Sequence, residues 1–132
     1  METIQDYASE LILLLFLAIT FLQSGADKIF DWKGNIGWLK GHFSKTPFKN
    51  SVPLLVMIIL VLELVTGIVS IMGIYGILNT QNTSMAFLGA LLGCITLLML
   101  LLGQRTAKDY DGARTIVIYL IPTVFLLFLL QN

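Results

Sequence analysis

Four long apolar stretches divide this chain, and they cover residues 11–30, 53–77, 85–103 and 115–130. Each stretch is long enough, or nearly so, to cross a hydrocarbon core of about 30 Å as a helix. Inside lipid every backbone amide must be hydrogen-bonded, which leaves helices or closed β-barrels as spanning structures. Residues 11–17 are continuously apolar and lack the alternation of polar and apolar residues in barrel strands, so helices are expected. The sequence therefore predicts an all-α protein, a bundle of four transmembrane helices.

The basic residues predict how this bundle is oriented. When the four spans are threaded consecutively, the opposite face receives the N-terminal tail, residues 78–84 and the C-terminal Gln131-Asn132, none of which is basic. All eight Lys and Arg residues fall on the other face, namely Lys28, Lys33, Lys40, Lys45, Lys49, Arg105, Lys108 and Arg114. Basic residues in short loops stay cytoplasmic during insertion. We therefore expect both termini outside and the connections 31–52 and 104–113 in the cytoplasm.

Composition limits the domain organisation and the chemistry. With 132 residues, of which 57% are hydrophobic and 12% charged, the chain is predicted to be one integral membrane domain. The basic face favours anionic lipid headgroups as partners and argues against nucleic acid. The single cysteine, Cys94, cannot form an intramolecular disulfide. We find no nucleophile–base pair, phosphate loop or set of metal ligands in the sequence, so neither a catalytic nor a metal site is expected.

The connection after the first span is predicted to contain an interfacial segment. Trp32, Ile36, Leu39 and Phe43 recur at helical spacing, which indicates a short helix in the headgroup plane with aromatic anchors. Three glycines within it weaken its intrinsic helicity, so a hinged or only partly helical flap is the alternative. His42 is expected to be solvated. The connection 104–113 is either a solvated turn or a lid.

Polar residues within or beside the spans are the candidate ligand-binding side chains, because they lie at similar depth. Counted inward at about 1.5 Å per residue, Lys28, Glu63 and Arg114 come out roughly 22–25 Å below the outer face. The full predicted set is Lys28, Glu63, Gln23, Ser24, Arg105 and Arg114. We expect these residues to form one layer in the cytoplasmic third of the bundle.

Glu63 is the most informative member of this set, since it lies ten residues inside its span. A carboxylate exposed to lipid there costs about 2.5 kcal/mol or more, so it should face the interior and be paired or protonated. Lys28 is the first-choice partner, with Arg114 or Arg105 second. Three interpretations stay open: a structural ion pair, a polar pocket for a headgroup, a quinone carbonyl or a proton, and a protonated glutamate bonded to the backbone.

Small residues in the spans predict close helix packing. Ser24-Gly25 in the first span and Gly67 and Gly73 in the second would let the helices approach closely where lipid offers no hydrophobic driving force. Gly89 and Gly93 form a Gly-x-x-x-Gly pattern, which marks either an internal contact or a homodimer face.

The arrangement of the chain resembles the DoxX family of small bacterial four-helix membrane proteins, and two segments carry this resemblance. They are Phe21-Leu-Gln-Ser-Gly-Ala-Asp-Lys28 and Glu63-Leu-Val-Thr-Gly67, the latter followed by Gly73. The resemblance covers essentially the whole chain and implies a bacterial inner membrane location. It places Lys28 and Glu63 at the charged positions of the family. Some relatives are associated with thiosulfate–quinone oxidoreduction or thiol redox homeostasis.

The resemblance therefore implies an accessory subunit of a quinone-linked or thiol redox system, with a non-covalently bound quinone and a partner protein that supplies electrons. The chain departs from self-contained thiol chemistry because it has no cysteine pair. The alternatives are a small lipid- or metabolite-binding or carrier protein, and a purely structural assembly subunit. Expected partners are membrane lipids, with a redox partner protein and a second copy of this chain as further candidates.

Overall fold

The computed structural model describes residues 2–131, and these are mostly helical. The helices are α1 (Glu2–Asp6), α2 (Ala8–Phe30), α3 (Trp32–His42), α4 (Val52–Thr80), α5 (Ser84–Thr106) and α6 (Tyr110–Gln131). No strand occurs between residues 2 and 131. Four of the helices, α2, α4, α5 and α6, are long and apolar enough to cross a membrane, as in a multi-pass membrane protein. The predicted all-α bundle of four spans is confirmed.

The helices extend beyond the apolar stretches that predicted them. The fourth spanning helix, α6, begins at Tyr110 rather than near residue 115. The third spanning helix, α5, continues to Thr106 rather than ending at residue 103. Apolar composition marks the hydrocarbon crossing, whereas a helix continues among polar residues where headgroups and water are available. The short α1 was not predicted. Met1 and Asn132, which the sequence assigns to the outer face, lie outside the described residues.

The four long helices run antiparallel in chain order around the bundle. Each packs most extensively against the next, α2 on α4, α4 on α5 and α5 on α6, with a smaller contact returning from α6 to α2. One end carries α3 and the turn between α5 and α6, together with all the basic residues. We call it the basic end. At the other end the Gln81 side-chain amide donates to the Thr3 hydroxyl at 3.0 Å, which ties α1 to the turn after α4.

A core of large apolar side chains holds the bundle together. Leu14, Leu17 and Phe21 of α2 are almost wholly buried, and so is Leu126 of α6. Many other large apolar side chains face outward, and Ile121 on α6, for example, is 66% exposed. An apolar exterior of this extent is unfavourable in water and suits a helix surrounded by lipid.

Glycines bring α2 and α4 into close contact, as predicted. A Cβ at Gly25 would lie 2.6 Å from Cδ2 of Leu64, and a Cβ at Gly67 would lie 2.6 Å from Cγ of Leu22. Each helix thus places a leucine in the gap that the glycine leaves on its neighbour. A larger residue at either position would require the facing leucine side chain to shift, so the two glycines favour this close packing.

The Gly-x-x-x-Gly pattern of α5 is an internal contact. A Cβ at Gly89 would lie 3.1 Å from the Ser70 hydroxyl, and a Cβ at Gly93 would lie 3.2 Å from Cγ2 of Thr123. Both glycines are buried between helices of the same chain. The alternative prediction, that this pattern forms a homodimer face, is wrong for these two residues. Assembly with a second copy through another surface stays a prediction.

Helix α3 is continuous from Trp32 to His42, so the predicted short helix is confirmed and the partly helical alternative is wrong. It follows α2 after a single non-helical residue, Asp31. The Asn35 side-chain amide donates to the backbone carbonyl of Asp31 at 2.9 Å and to that of Asp27 at 3.3 Å. Both carbonyls also accept backbone N–H groups, so the Asn35 side chain adds a second donor to each and ties α3 to the end of α2.

Candidate functional site

Lys28 and Glu63 form an ion pair between α2 and α4. The Lys28 Nζ lies 2.7 Å from the Glu63 Oε1, and the two side chains are 18% and 3% exposed. The first-choice pairing from the sequence is therefore confirmed. Gly25 lies three residues before Lys28 and Gly67 four residues after Glu63, so the close glycine contacts flank the pair on both helices.

The Lys28 ammonium is held by a second polar group. Its Nζ donates a hydrogen bond to the Ser24 Oγ at 2.9 Å, one turn earlier on α2. Its approach to Glu63 lies outside hydrogen-bond angles, so charge attraction holds that contact. An ammonium carries three donors. Within residues 2–131, at least one Lys28 proton therefore has no protein acceptor.

Lys28 also lines a cavity at the basic end. The cavity has a volume of about 390 Å³ and lies between α3 with its following turns, α4, and the last turns of α5. We call residues 32–51 the flap, because they cover this space. The polar side chains of the lining are those of Lys28, Asn35 and Gln104. Glu63 lies behind Lys28 and does not reach the cavity.

The rest of the cavity wall is apolar or aromatic. Trp38 and Phe43 contribute rings from the flap, Val56 and Ile59 line it from α4, and Met99 lines it from α5. An apolar enclosure with one cation and two amides can hold an amphipathic molecule whose head accepts hydrogen bonds. Lys28 and Glu63 thus contact each other directly, and of these two residues Lys28 is the one that lines the cavity.

His42 joins the flap to the end of α5. Its Nε2 lies 3.0 Å from the Gln104 Oε1 and 3.6 Å from the Asp109 Oδ2. The imidazole ring stacks on the Trp38 indole with 4.6 Å between ring centroids. The expectation of a solvated His42 is wrong. No sequence signal could have found this contact, because His42 and Gln104 are 62 residues apart and neither belongs to a recognisable motif.

Three of the predicted site residues lie away from the ion pair. The Gln23 and Arg105 side chains are exposed. Arg114 is exposed as well, and its guanidinium donates to the Asp111 Oδ1 at 2.8 Å. These three side chains therefore do not join the ion pair, and neither arginine is a partner of Glu63. The predicted common depth of the six residues stays a prediction. Equal depth in a bundle does not place side chains on the same face of their helices.

The interior also contains an unpaired hydroxyl. Thr66 is wholly buried one turn beyond Glu63 on α4, and its Oγ1 has no hydrogen-bond partner among the residues described. The hydroxyls of Ser70, Thr96 and Thr123 instead donate to backbone carbonyls one turn earlier in their own helices. Thr66 lies next to the ion pair but does not line the cavity.

Within residues 2–131 the structure brings together no group of three or more His, Cys, Asp or Glu side chains that could hold a metal ion. Comparisons with known protein families, with curated proteins and with solved structures found no match to this chain. The resemblance to the DoxX family therefore stays a prediction. The geometry of the cavity and its ion pair is the basis for a functional proposal.

Proposed function

We propose that this chain is a DoxX-like protein of a bacterial inner membrane that binds a quinone in the cavity beneath the flap. On this proposal it is an accessory subunit of a quinone-linked redox system. One observation carries the proposal: the Lys28 ammonium, which Glu63 and Ser24 hold in place, belongs to the wall of a largely apolar cavity.

The chemistry of a quinone fits this cavity. A quinone head carries two carbonyl oxygens that accept hydrogen bonds, and its tail is apolar. A charged donor such as Lys28 forms the stronger kind of hydrogen bond to such an oxygen. The volume of about 390 Å³ lies within the range of small-molecule sites. Met99 and Leu102 line the cavity and are 38% and 61% exposed, and on this proposal the tail passes them into lipid.

The ion pair explains how a cation can stand beside such a ligand. An isolated ammonium within an apolar wall is costly, and the Glu63 carboxylate offsets that cost. On this proposal a partner protein supplies the electrons, and this chain contributes binding and orientation of the quinone. We favour quinone-linked over thiol chemistry because the one cysteine, Cys94, is buried in the bundle.

The orientation follows from the basic residues. We propose that the basic end faces the cytoplasm and that both termini lie outside, because basic loops are retained on the cytoplasmic side. The cavity would then open toward the cytoplasmic leaflet.

Quinone retention tests the proposal. The protein is purified in polymer-bounded lipid discs, extracted with organic solvent and analysed by chromatography and mass spectrometry for ubiquinone and menaquinone. We expect about one quinone per chain. The double substitution Lys28→Met with Glu63→Leu should reduce this to background, because it removes the donor while leaving no unpaired charge.

Arg114→Gln is the matched control, since it removes a charge from an exposed ion pair away from the cavity. It should leave retention unchanged. A wild-type protein without quinone, or equal retention in the double variant, would overturn the proposal.

One observation favours a second candidate, a lipid- or metabolite-binding or carrier protein. The same Lys28 ammonium is a suitable partner for an anionic headgroup, and the cytoplasmic leaflet contains anionic lipids. Native mass spectrometry of the same preparations distinguishes the two. A bound phospholipid that is present in the wild type and absent from the variant without Lys28 would support the second candidate. An empty cavity, together with cross-linking of the protein to a membrane partner, would support a purely structural assembly subunit.

A further inference from the structure

The flap helix is held over the cavity by few contacts. None of the residues of α3 is buried, in contrast to every spanning helix. Among the helices that the structure describes, its backbone packs against α2 and α4 alone. An element without buried side chains opens at low free-energy cost compared with the core of the same protein.

His42 provides the polar contact from this helix to α5. The Nε2 is a donor both in the Nε2-protonated neutral ring and in the imidazolium, so it donates to the Gln104 Oε1 at 3.0 Å in either form. Between residues 2 and 131, no other side-chain hydrogen bond joins the flap to α5 or α6. The Oδ2 of Asp109, in the turn between α5 and α6, lies 3.6 Å from the same nitrogen.

The same contact is coupled to the cavity wall. Gln104 lines the cavity as well as accepting the bond from His42. On the flap, the Trp38 ring both lines the cavity and stacks on the His42 imidazole. Breaking the bond to Gln104 would therefore release the ring that covers the space.

We propose that α3 is a gate over the cavity and that His42, bound to Gln104, is the latch that keeps this gate closed. The gate would control how a membrane-soluble ligand reaches Lys28 from the basic end. The assignment of that ligand as a quinone rests on the proposed function, but the gating itself can be tested without any ligand.

Thiol accessibility inside the cavity is the test. Val56 lines the cavity and is only 7% exposed, so Val56→Cys introduces a reporter that a closed flap protects. The full chain carries Cys94→Ala to remove the native thiol, and is held in lipid discs. The labelling rate with a small, water-soluble methanethiosulfonate is then measured with and without His42→Ala.

We expect His42→Ala to raise the labelling rate about fivefold, the change expected from loss of one typical hydrogen bond. Gln104→Leu removes the acceptor of the same bond and should raise the rate similarly. The two substitutions together should add little beyond either alone, because both break one contact. Lys45→Ala is the matched control on an exposed part of the flap, and it should leave the rate unchanged.

A second reporter separates opening of the flap from loss of the fold. Ile77→Cys places a thiol in the fully buried core at the opposite end of α4, where labelling should stay slow in every variant. The proposal is overturned if neither His42→Ala nor Gln104→Leu changes the rate at position 56, and also if the rate at position 77 rises in parallel. A normal gating result in a protein that retains no quinone would refute the proposed ligand and leave the gate in place.

Discussion

Replacing Glu63 with leucine would remove the carboxylate that lies 2.7 Å from the Lys28 ammonium. At this separation two unit charges attract each other by about 6 kcal/mol at an effective dielectric constant near 20, before the cost of desolvation is subtracted. Removing one partner of a buried pair costs about 3–5 kcal/mol, because the other charge is left uncompensated. We expect Glu63→Leu to lower the free energy of unfolding by about 3 kcal/mol, the low end of this range. The partly exposed Lys28 keeps its bond to Ser24 and can extend toward the headgroups, which limits the loss.

Removing the lysine of the pair instead of the glutamate should lower the free energy of unfolding further. Lys28→Met leaves the Glu63 carboxylate, which is 3% exposed, without a cation, and we expect a loss of about 4–5 kcal/mol. The double variant removes both charges and lets apolar side chains fill the space. It should therefore be within about 1 kcal/mol of the wild type and more stable than either single variant.

Cys94 offers a reporter for this measurement. It is the one cysteine of the chain and is 6% exposed within the bundle, so its thiol reacts when the helices separate. Pulsed labelling across a titration with sodium dodecyl sulfate gives the free energy of unfolding for each variant. Arg114→Gln, in an exposed ion pair, should change it by less than about 0.5 kcal/mol. If the two single losses add to give the double-variant loss within about 0.5 kcal/mol, the reasoning is refuted.

Two further predictions concern packing and an unpaired hydroxyl, with the same labelling assay. Gly73→Ala should destabilise the protein by about 1–3 kcal/mol, because the new Cβ would lie 2.6 Å from the Cα of Ala86. Gly37→Ala is the control, because a Cβ at Gly37 would meet nothing within 4 Å, and it should instead slow amide exchange in α3. Equal losses in the free energy of unfolding at both sites would contradict the packing argument. Thr66→Val should stabilise the bundle by about 1 kcal/mol, because it removes a buried hydroxyl without a partner, and a loss of stability would show that the hydroxyl is paired in the membrane.

The pairing of Lys28 with Glu63 could be predicted because it depends on quantities that a sequence carries. Spans joined antiparallel begin and end at nearly the same level, and each residue advances about 1.5 Å along a helix. Counting along two neighbouring helices therefore placed an acid and a base at one depth. The high cost of an unpaired charge in lipid then required them to meet.

The same counting could not show that Gln23, Arg105 and Arg114 turn away from the ion pair, because depth says nothing about the direction in which a side chain points. Successive residues of a helix are rotated by about 100°. Gln23 is thus turned outward although Ser24, its neighbour in sequence, bonds to Lys28. The direction of each side chain depends on how its helix is rotated within the bundle.

The sequence by itself determined the helical class, the number of spans, the segregation of basic residues to one end and the pairing of Glu63 with Lys28. These properties follow from the cost of exposing polar groups to hydrocarbon, which acts on each segment independently of the others. Only the tertiary structure decided that Lys28 faces a cavity and that His42 meets Gln104 across 62 residues of chain. Both depend on the rotation of packed helices and on the placement of a short helix without a buried residue, and these are set by many weak contacts acting together.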